Sequence, residues 1–250
     1  MDSLAVFWGE WLDLRVRLPQ VAVAGLVSPL IYILAFGFGL GSSLPTPPLG
    51  DSYLAFILPG MVALSSMTIS FGGTTFSLCG DRLFTKTFEE FLLLPVHPLS
   101  LYLGRVMAGV VRGLMTSGAV LVVGALFIGR PWGFLNPLFL TLLLLNCLVF
   151  AGLGILVGLT VRSLEAVGLY NNFLIVPMSF LGGTFFDPAT LPPMLKALVY
   201  VLPLTYTSIG LRAAVFGDWR QFPWYCFAVL GCVAVLLAAL GAYRFTQQQD

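Results

Sequence analysis

Long apolar runs separated by short polar breaks organise this chain. Six runs stand out, at about 21–41, 53–78, 106–128, 137–160, 164–183 and 222–243. Each is long enough to cross a membrane, which takes ~20 predominantly apolar residues in a helix. In lipid every backbone N–H and C=O must be satisfied inside the structure, and a helix does this without help. The pattern predicts an all-α polytopic membrane protein, with six transmembrane helices forming a single transmembrane domain over 1–250.

The breaks carry the rest of the architecture. Residues 3–17 mix Trp8, Trp11 and other large apolar residues with Glu10 and Arg15 at helical spacing, which predicts an amphipathic interface helix lying on the membrane. Residues 42–52 are rich in Pro, Gly and Ser and read as a loop. Residues 79–105 are the most charged stretch, with Asp81, Arg82, Lys86, Glu89, Glu90 and Arg105, and form the principal polar loop. Residues 184–220 are half-apolar but interrupted by prolines, too long for a hairpin and too broken to span. They read as short re-entrant helices dipping into the membrane, where protein or water must satisfy the backbone.

Composition sharpens this picture. Of 250 residues, 58% are hydrophobic and 9% charged, with a mean hydropathy of +0.97; too little charge remains to clothe a water-exposed surface. A net charge of +1 provides no basic face for nucleic acid. With the N-terminus inside, seven cationic residues (Arg15, Arg17, Arg82, Lys86, Arg105, Arg162, Arg244) fall on the inner side and four (Arg130, Lys196, Arg212, Arg220) on the outer. That bias places both termini and the 79–105 loop in the cytoplasm and the 184–220 region outside. No small-residue cleavage pattern accompanies the first run, so a cleaved signal peptide is not expected.

Candidate chemistry is sparse. His97 is the only histidine, which excludes HExxH metal sites; between Pro95 and Pro98 it reads as a loop residue. Cys79, Cys147, Cys226 and Cys232 are widely spaced and read as buried thiols. Asp51, Asp81 and Asp218 lie at span edges or in loops, not paired at bilayer depth. No GxxxxGK[ST] phosphate loop exists, so any energy from ATP must come from a partner.

Three features allow two readings each. The helix around Glu89 and Glu90, stopped by Pro95, is either a connector on the membrane surface or a knob for a cytoplasmic protein's cleft. Asn171 and Asn172 either bond between helices or line a polar pathway, with Pro177 kinking their helix or marking a break in it. Phe180, Phe185, Phe186 and Tyr206 are either substrate-facing walls or interfacial anchors. The glycine series 37/39/41, 109/113/118 and 152/154/158 permit close helix contact and give a weak pointer to self-association.

Taken in order, these residues resemble the membrane subunits of ABC-2 type transporters, in the branch of polysaccharide, lipo-oligosaccharide and drug exporters. The resemblance rests on Tyr53-Leu-Ala-Phe-Ile-Leu-Pro-Gly60; Phe88-Glu-Glu-Phe-Leu-Leu-Leu-Pro95 with Pro98 and Gly104-Arg105; and Arg112-Gly113. Its most specific part is Asn171-Asn172, Pro177, Leu181-Gly-Gly-Thr-Phe-Phe186, Leu191-Pro192 and Pro203-Leu-Thr-Tyr206. It implies a permease subunit of an inner-membrane exporter in a bacterium, pairing with a second copy and with two cytoplasmic ATP-binding subunits that hold the ATP and Mg. This chain itself would bind no cofactor and catalyse nothing. The resemblance makes Phe88, Glu89, Glu90, Phe91, Leu94 and Pro95 an ATPase-coupling helix, and Trp8, Glu10, Trp11 and Arg15 an interface helix. It makes 184–206 the re-entrant cap over a path for an amphipathic, lipid-linked, glycan or drug substrate, lined by the first, second and fifth spans. The rival is an ATP-independent carrier or channel, which would use ionisable residues in mid-span; Arg112 and Glu165 are the only candidates.

Overall fold

A computed structural model describes residues 2–35, 53–88, 90, 97–128, 136–217 and 219–249. Among these the regular structure is helical. The long elements are α1 (Asp2–Tyr32), α2 (Tyr53–Gly80, continued by a wide turn over Asp81–Thr85), α3 (Pro98–Ile128), α4 (Pro137–Thr160) and α5 (Leu164–Leu181). They are followed by α6 (Pro193–Val199), α7 (Pro203–Phe216) and α8 (Tyr225–Gln249). Five helices are long and apolar enough to cross a membrane, or six if α6 and α7, bent by 93°, count as one. The chain is an all-α polytopic membrane protein.

α2 is the centre, packed on α4, α3 and α7, with α1 lying along α3 and α8 against α4 and α3. A helix surrounded by others needs no lipid-facing stripe, so α2 can bury hydroxyls. Ser65, Ser66, Ser70, Thr74 and Thr75 are all buried. Most of them turn back on helix carbonyls, as Ser65 does to Met61 O (2.8 Å), or reach a neighbour, as Ser70 does to Gly109 O on α3 (3.1 Å). At the heart of the core Asn146 Nδ2 donates to Ser66 Oγ (2.7 Å) and Ala63 O (3.1 Å), while its Oδ1 accepts from Thr207 Oγ1 (2.8 Å). One amide thereby joins α4, α2 and α7. The glycines on α3 and α4 make room for this packing: a Cβ on Gly154 would stand 2.7 Å from Phe71 O. Except at Gly118, where nothing lies close, the 109/113/118 and 152/154/158 series is used within the chain.

Several boundaries differ from those read in the sequence. The separate interface helix over 3–17 and the span from 21 merge into one continuous helix, because Val6, Glu10 and Leu14 share a face turned onto the bundle. Glu10 is thus a packing residue of the bundle, paired with two arginines. The polar loop is also shorter than 79–105. α2 with its wide turn reaches Thr85, and α3 starts at Pro98, since the charges of Asp81 and Arg105 neutralise one another. His97 begins α3: its Nδ1 accepts the Leu99 N–H (3.2 Å) and its carbonyl accepts from Ser100 (2.8 Å), so it caps the helix. Of the four thiols, Cys232 is exposed. The 42–52 loop, Arg130, Asp51, Asp218 and the far part of the first span lie outside the described residues.

Candidate functional site

Two groups of residues occupy opposite ends of the bundle. At the end where both described termini lie, Glu10 bridges Arg105 Nη1 (2.9 Å) and Arg112 Nη2 (3.2 Å), and Arg105 Nη1 also meets Asp81 Oδ2 (2.6 Å). Ser77 Oγ donates to the Glu10 carboxylate, and Arg112 Nη1 to Gly73 O (2.6 Å). Charges this sheltered persist only when paired and hydrogen-bonded, and each of these is. Arg82 closes the neighbouring helix end: its Nη1 donates to Gly158 O and Leu159 O (2.7 Å each), carbonyls that the last turn of α4 leaves open.

Phe88 stands between these arginines. It is 5% exposed, with the Arg82 and Arg105 guanidiniums 5.8 and 6.0 Å from its ring centre and Phe245 of α8 at 6.0 Å. Glu90 is exposed. Glu89, Phe91, Leu94 and Pro95 lie outside the described residues. On α1, Trp8 and Arg15 are exposed and Trp11 is half-buried, stacked on Phe7 at 6.2 Å.

At the other end α5 runs into a turn, 182–187, that folds back over α2. Ser163 caps the start of α5 by accepting from Ala166 N–H (3.3 Å), and Glu165 is exposed in its first turn, where the helix dipole favours an acid. Pro177 cannot donate to the carbonyl four residues back, and its ring crowds that carbonyl; the helix answers with a wide π-turn over Asn171–Ile175, in which Val176 N–H reaches Asn171 O. Asn171 is half-buried and Asn172 exposed, and neither side chain makes a hydrogen bond among the described residues. Along α5 the exposed face is mostly apolar, with Leu169, Phe173, Val176 and Phe180 beside Asn172.

Hydrogen bonds and ring contacts from α1, α2, α5 and α7 hold the turn. Tyr53 Oη donates to Phe185 O (3.0 Å), the Phe185 ring lies 5.2 Å from Tyr32 of α1 and 6.3 Å from Phe180, and Arg212 of α7 donates to Thr184 O (2.6 Å). Gly183 has φ +71°, a left-handed conformation that a side chain resists. Gly60 of α2 faces the turn so closely that a Cβ would stand 2.6 Å from Thr184 O. This joins two distant sequence motifs: the Pro59-Gly60 pair leaves the gap into which the 182–186 turn fits.

The structure therefore brings Phe180 and Phe185 together with Tyr32, which the sequence reading did not single out, and sets Phe186 in the same half-buried turn. Tyr206 sits apart from them. It packs edge-on against Tyr200 (6.1 Å) and Tyr225 of α8 (6.2 Å), and its hydroxyl donates to Tyr200 O (2.7 Å), fastening the corner between α6 and α7. Arg112, a candidate for ion coupling, is committed to Glu10 and Gly73.

Comparison with known proteins agrees with this architecture. A family model described as ABC-2 type transporter matches residues 2–216. The inner membrane transport permease YadH of Escherichia coli K12 is 28% identical over 217 residues, covering 86% of this chain and 83% of that protein. Nodulation protein J of Neorhizobium galegae is 29% identical over 217 residues, covering 87% and 82%; that of Rhizobium leguminosarum bv. trifolii is 30% identical over 193 residues, covering 77% and 72%. With residues 2–216 matched, the chain belongs to the ABC-2 type transporter family, as a multi-pass inner-membrane permease subunit with no catalytic role of its own.

Proposed function

We propose that this permease is one of two identical membrane subunits of an exporter whose energy comes from two separate cytoplasmic ATP-binding subunits, and that its cargo is amphipathic: lipid-linked, glycan-bearing or drug-like. The end holding Asp81, Phe88 and Arg105 faces the cytoplasm, which the cationic bias supports. ATP and Mg belong to the partner subunits, and the 88–95 segment is what those subunits grip.

One observation carries the reading. Phe88, at the root of that segment, is packed under Arg82 and Arg105, and Arg105 is ion-paired to Glu10 of α1. A push on the segment thus reaches α1 through two contiguous contacts, Phe88–Arg105 and Arg105–Glu10. The exposed apolar faces of α1 (Trp8, Leu12, Val23, Val27, Ile31) and α5 supply a surface for the second copy or for lipid. Where α1, α2 and α5 meet, Tyr32, Phe180 and Phe185 offer aromatic faces that accept both acyl and sugar surfaces. ATP binding would draw the two coupling segments together and shift a two-state arrangement of the paired membrane domains.

The test is copurification of this chain with an ATP-binding subunit and ATP-dependent transport in vesicles. Glu89→Arg with Glu90→Arg is expected to abolish both. Transport that continues with no ATPase present would replace this reading with an ATP-independent carrier.

A further inference from the structure

Arg212 lies inside the apolar helix α7 and is 4% exposed. All three of its nitrogens donate to backbone carbonyls: Nε to Phe56 O (3.1 Å), Nη1 to Phe186 O (3.3 Å) and Nη2 to Thr184 O (2.6 Å). Its guanidinium also lies over the Phe56 ring, 4.0 Å from the centre. No ion pair among the described residues includes it. The acid following the turn, Asp187, spends Oδ1 on capping the Ala189 N–H (2.9 Å).

Burying a guanidinium against neutral carbonyls is a costly way to hold a turn, and a Leu in apolar contact would do it more cheaply. What the arginine adds is a rigid fork that joins two segments at once: Phe56 belongs to α2, Thr184 and Phe186 to the turn after α5. A second observation is independent of its charge. Gly60 lets the turn seat on α2, since a Cβ there would meet Thr184 O at 2.6 Å and Arg212 Nη2 at 3.2 Å. Thr184 is fully buried, and its Oγ1 makes no hydrogen bond, so the turn is held through its carbonyls and not through that side chain.

We propose that Arg212 is the latch of the outer gate, a positioning residue that keeps the 182–186 turn shut on α2 until transport opens it. The bonds are strong while the site is dry, because a cation–carbonyl contact weakens steeply in high dielectric. Once the turn lifts and water enters, the bonds to Thr184 O and Phe186 O exchange for water together, while the bond to Phe56 O keeps Arg212 on α2; the paired release makes opening a two-state event. The inference rests on the reading of this chain as an ATP-driven permease with this end outside.

The test places a reporter at the latched residue. Thr184→Cys, in a chain with Cys79, Cys147, Cys226 and Cys232 replaced by Ser or Ala, is labelled with a membrane-impermeant maleimide in proteoliposomes of the permease–ATPase complex. Labelling is expected to be slow without nucleotide and faster after vanadate trapping. In that background Arg212→Gln should raise nucleotide-free labelling about tenfold, equivalent to ~1.4 kcal/mol lost from the closed state. Arg212→Lys, which keeps the charge without the fork, should restore part of the protection. Gly60→Ala should raise labelling with the guanidinium intact, and it carries the test if Arg212→Gln does not fold. Unchanged labelling in folded Arg212→Gln or Gly60→Ala overturns the latch. So does labelling that is identical in every nucleotide state while the complex hydrolyses ATP. Failure to find any associated ATPase would instead count against the permease reading, and the nucleotide-free comparison would still decide the latch.

Discussion

Glu10 on the first helix and Arg105 on the third form a 2.9 Å ion pair across 95 positions of sequence, with Arg105 only 4% exposed. The second oxygen of the same carboxylate meets Arg112, so one acid holds two cations that lie seven residues, two helical turns, apart on α3. α1 is thereby fixed along α3 in one register. The pairing also explains why charges can sit at the edge of an apolar bundle: each is neutralised within the group, Asp81 included.

Glu10→Gln keeps the shape but removes the negative charge that two sheltered guanidiniums share, leaving Arg105 its pair with Asp81 and Arg112 its bond to Gly73 O. Breaking one side of a buried pair costs ~3–5 kcal/mol in full burial, and somewhat less here because Glu10 retains 14% exposure. A loss of about 2–4 kcal/mol is expected, read as a fall in the unfolding midpoint of the detergent-solubilised permease. Asp81→Asn should cost less, as its side chain is 25% exposed and shares Arg105 with Glu10. Equal losses for the two variants would contradict the bridging role of Glu10.

Asn146→Leu tests the centre of the bundle. The amide is fully buried and serves Ala63, Ser66 and Thr207, so its removal takes the short acceptor from the Thr207 hydroxyl and leaves it only the longer contact to Pro203 O (3.4 Å). About 1–3 kcal/mol of destabilisation is expected. Thr207→Val, which deletes only one of the three bonds, should cost ~0.6 kcal/mol, the usual size of an interhelical hydrogen bond in membranes. Thermal unfolding of the two single variants and the double variant measures the coupling, which should be positive and close to the Thr207→Val effect.

The apolar runs that specify α2 to α5 and α8 were legible in the sequence because lipid demands uninterrupted apolar length, and 137–160 became α4 with no change. Boundaries near charges were not. Glu10 and Arg105 look like residues seeking water until the partner across the bundle is known, and that partner is 95 residues away. Pro177 was legible as a disturbance of the fifth span, but its outcome, a wide turn and not a break, depends on whether five-residue backbone bonds can form there. Tyr206 and Phe185 look alike in sequence and face different helices in space. Arg212 was counted only as one cation of the outer side. The signal that could have found it is its setting, between Leu211 and Ala213 in an otherwise apolar stretch, where an arginine needs a built-in set of acceptors.

Gly154→Ala and Gly118→Ala should behave oppositely although both are helical glycines. At Gly154 the added methyl meets Phe71 O at 2.7 Å and Thr75 Oγ1 at 3.0 Å, so α4 must move off α2, at a cost of about 1–3 kcal/mol. At Gly118 nothing lies within 4 Å, and Ala should stabilise by up to ~1 kcal/mol through helix propensity. Midpoints of thermal unfolding that shift down for the first and up or not at all for the second are the expected result. A destabilised Gly118→Ala, lost only when the protein is diluted to monomers, would place a second copy on that face of α3.

Phe88→Ala addresses coupling directly. The ring is buried under two guanidiniums and against Phe245, so truncation opens a gap where the polar segment joins the bundle. Loss of a packed Phe costs ~3–5 kcal/mol in a rigid core, and less where neighbours such as the long Arg82 side chain can collapse into the space. Stability alone is therefore a poor readout. If Phe88 relays motion from the bound ATPase to Arg105 and on to Glu10, Phe88→Ala should leave ATPase association and hydrolysis within about twofold of the parent while transport per ATP falls by about tenfold, the factor for ~1.4 kcal/mol of lost linkage. Phe88→Leu, which refills most of the volume without the aromatic face that the two arginines share, should fall between. Parallel loss of hydrolysis and transport in both variants would mean that Phe88 only holds the segment folded, and the route to α1 would then have to run elsewhere.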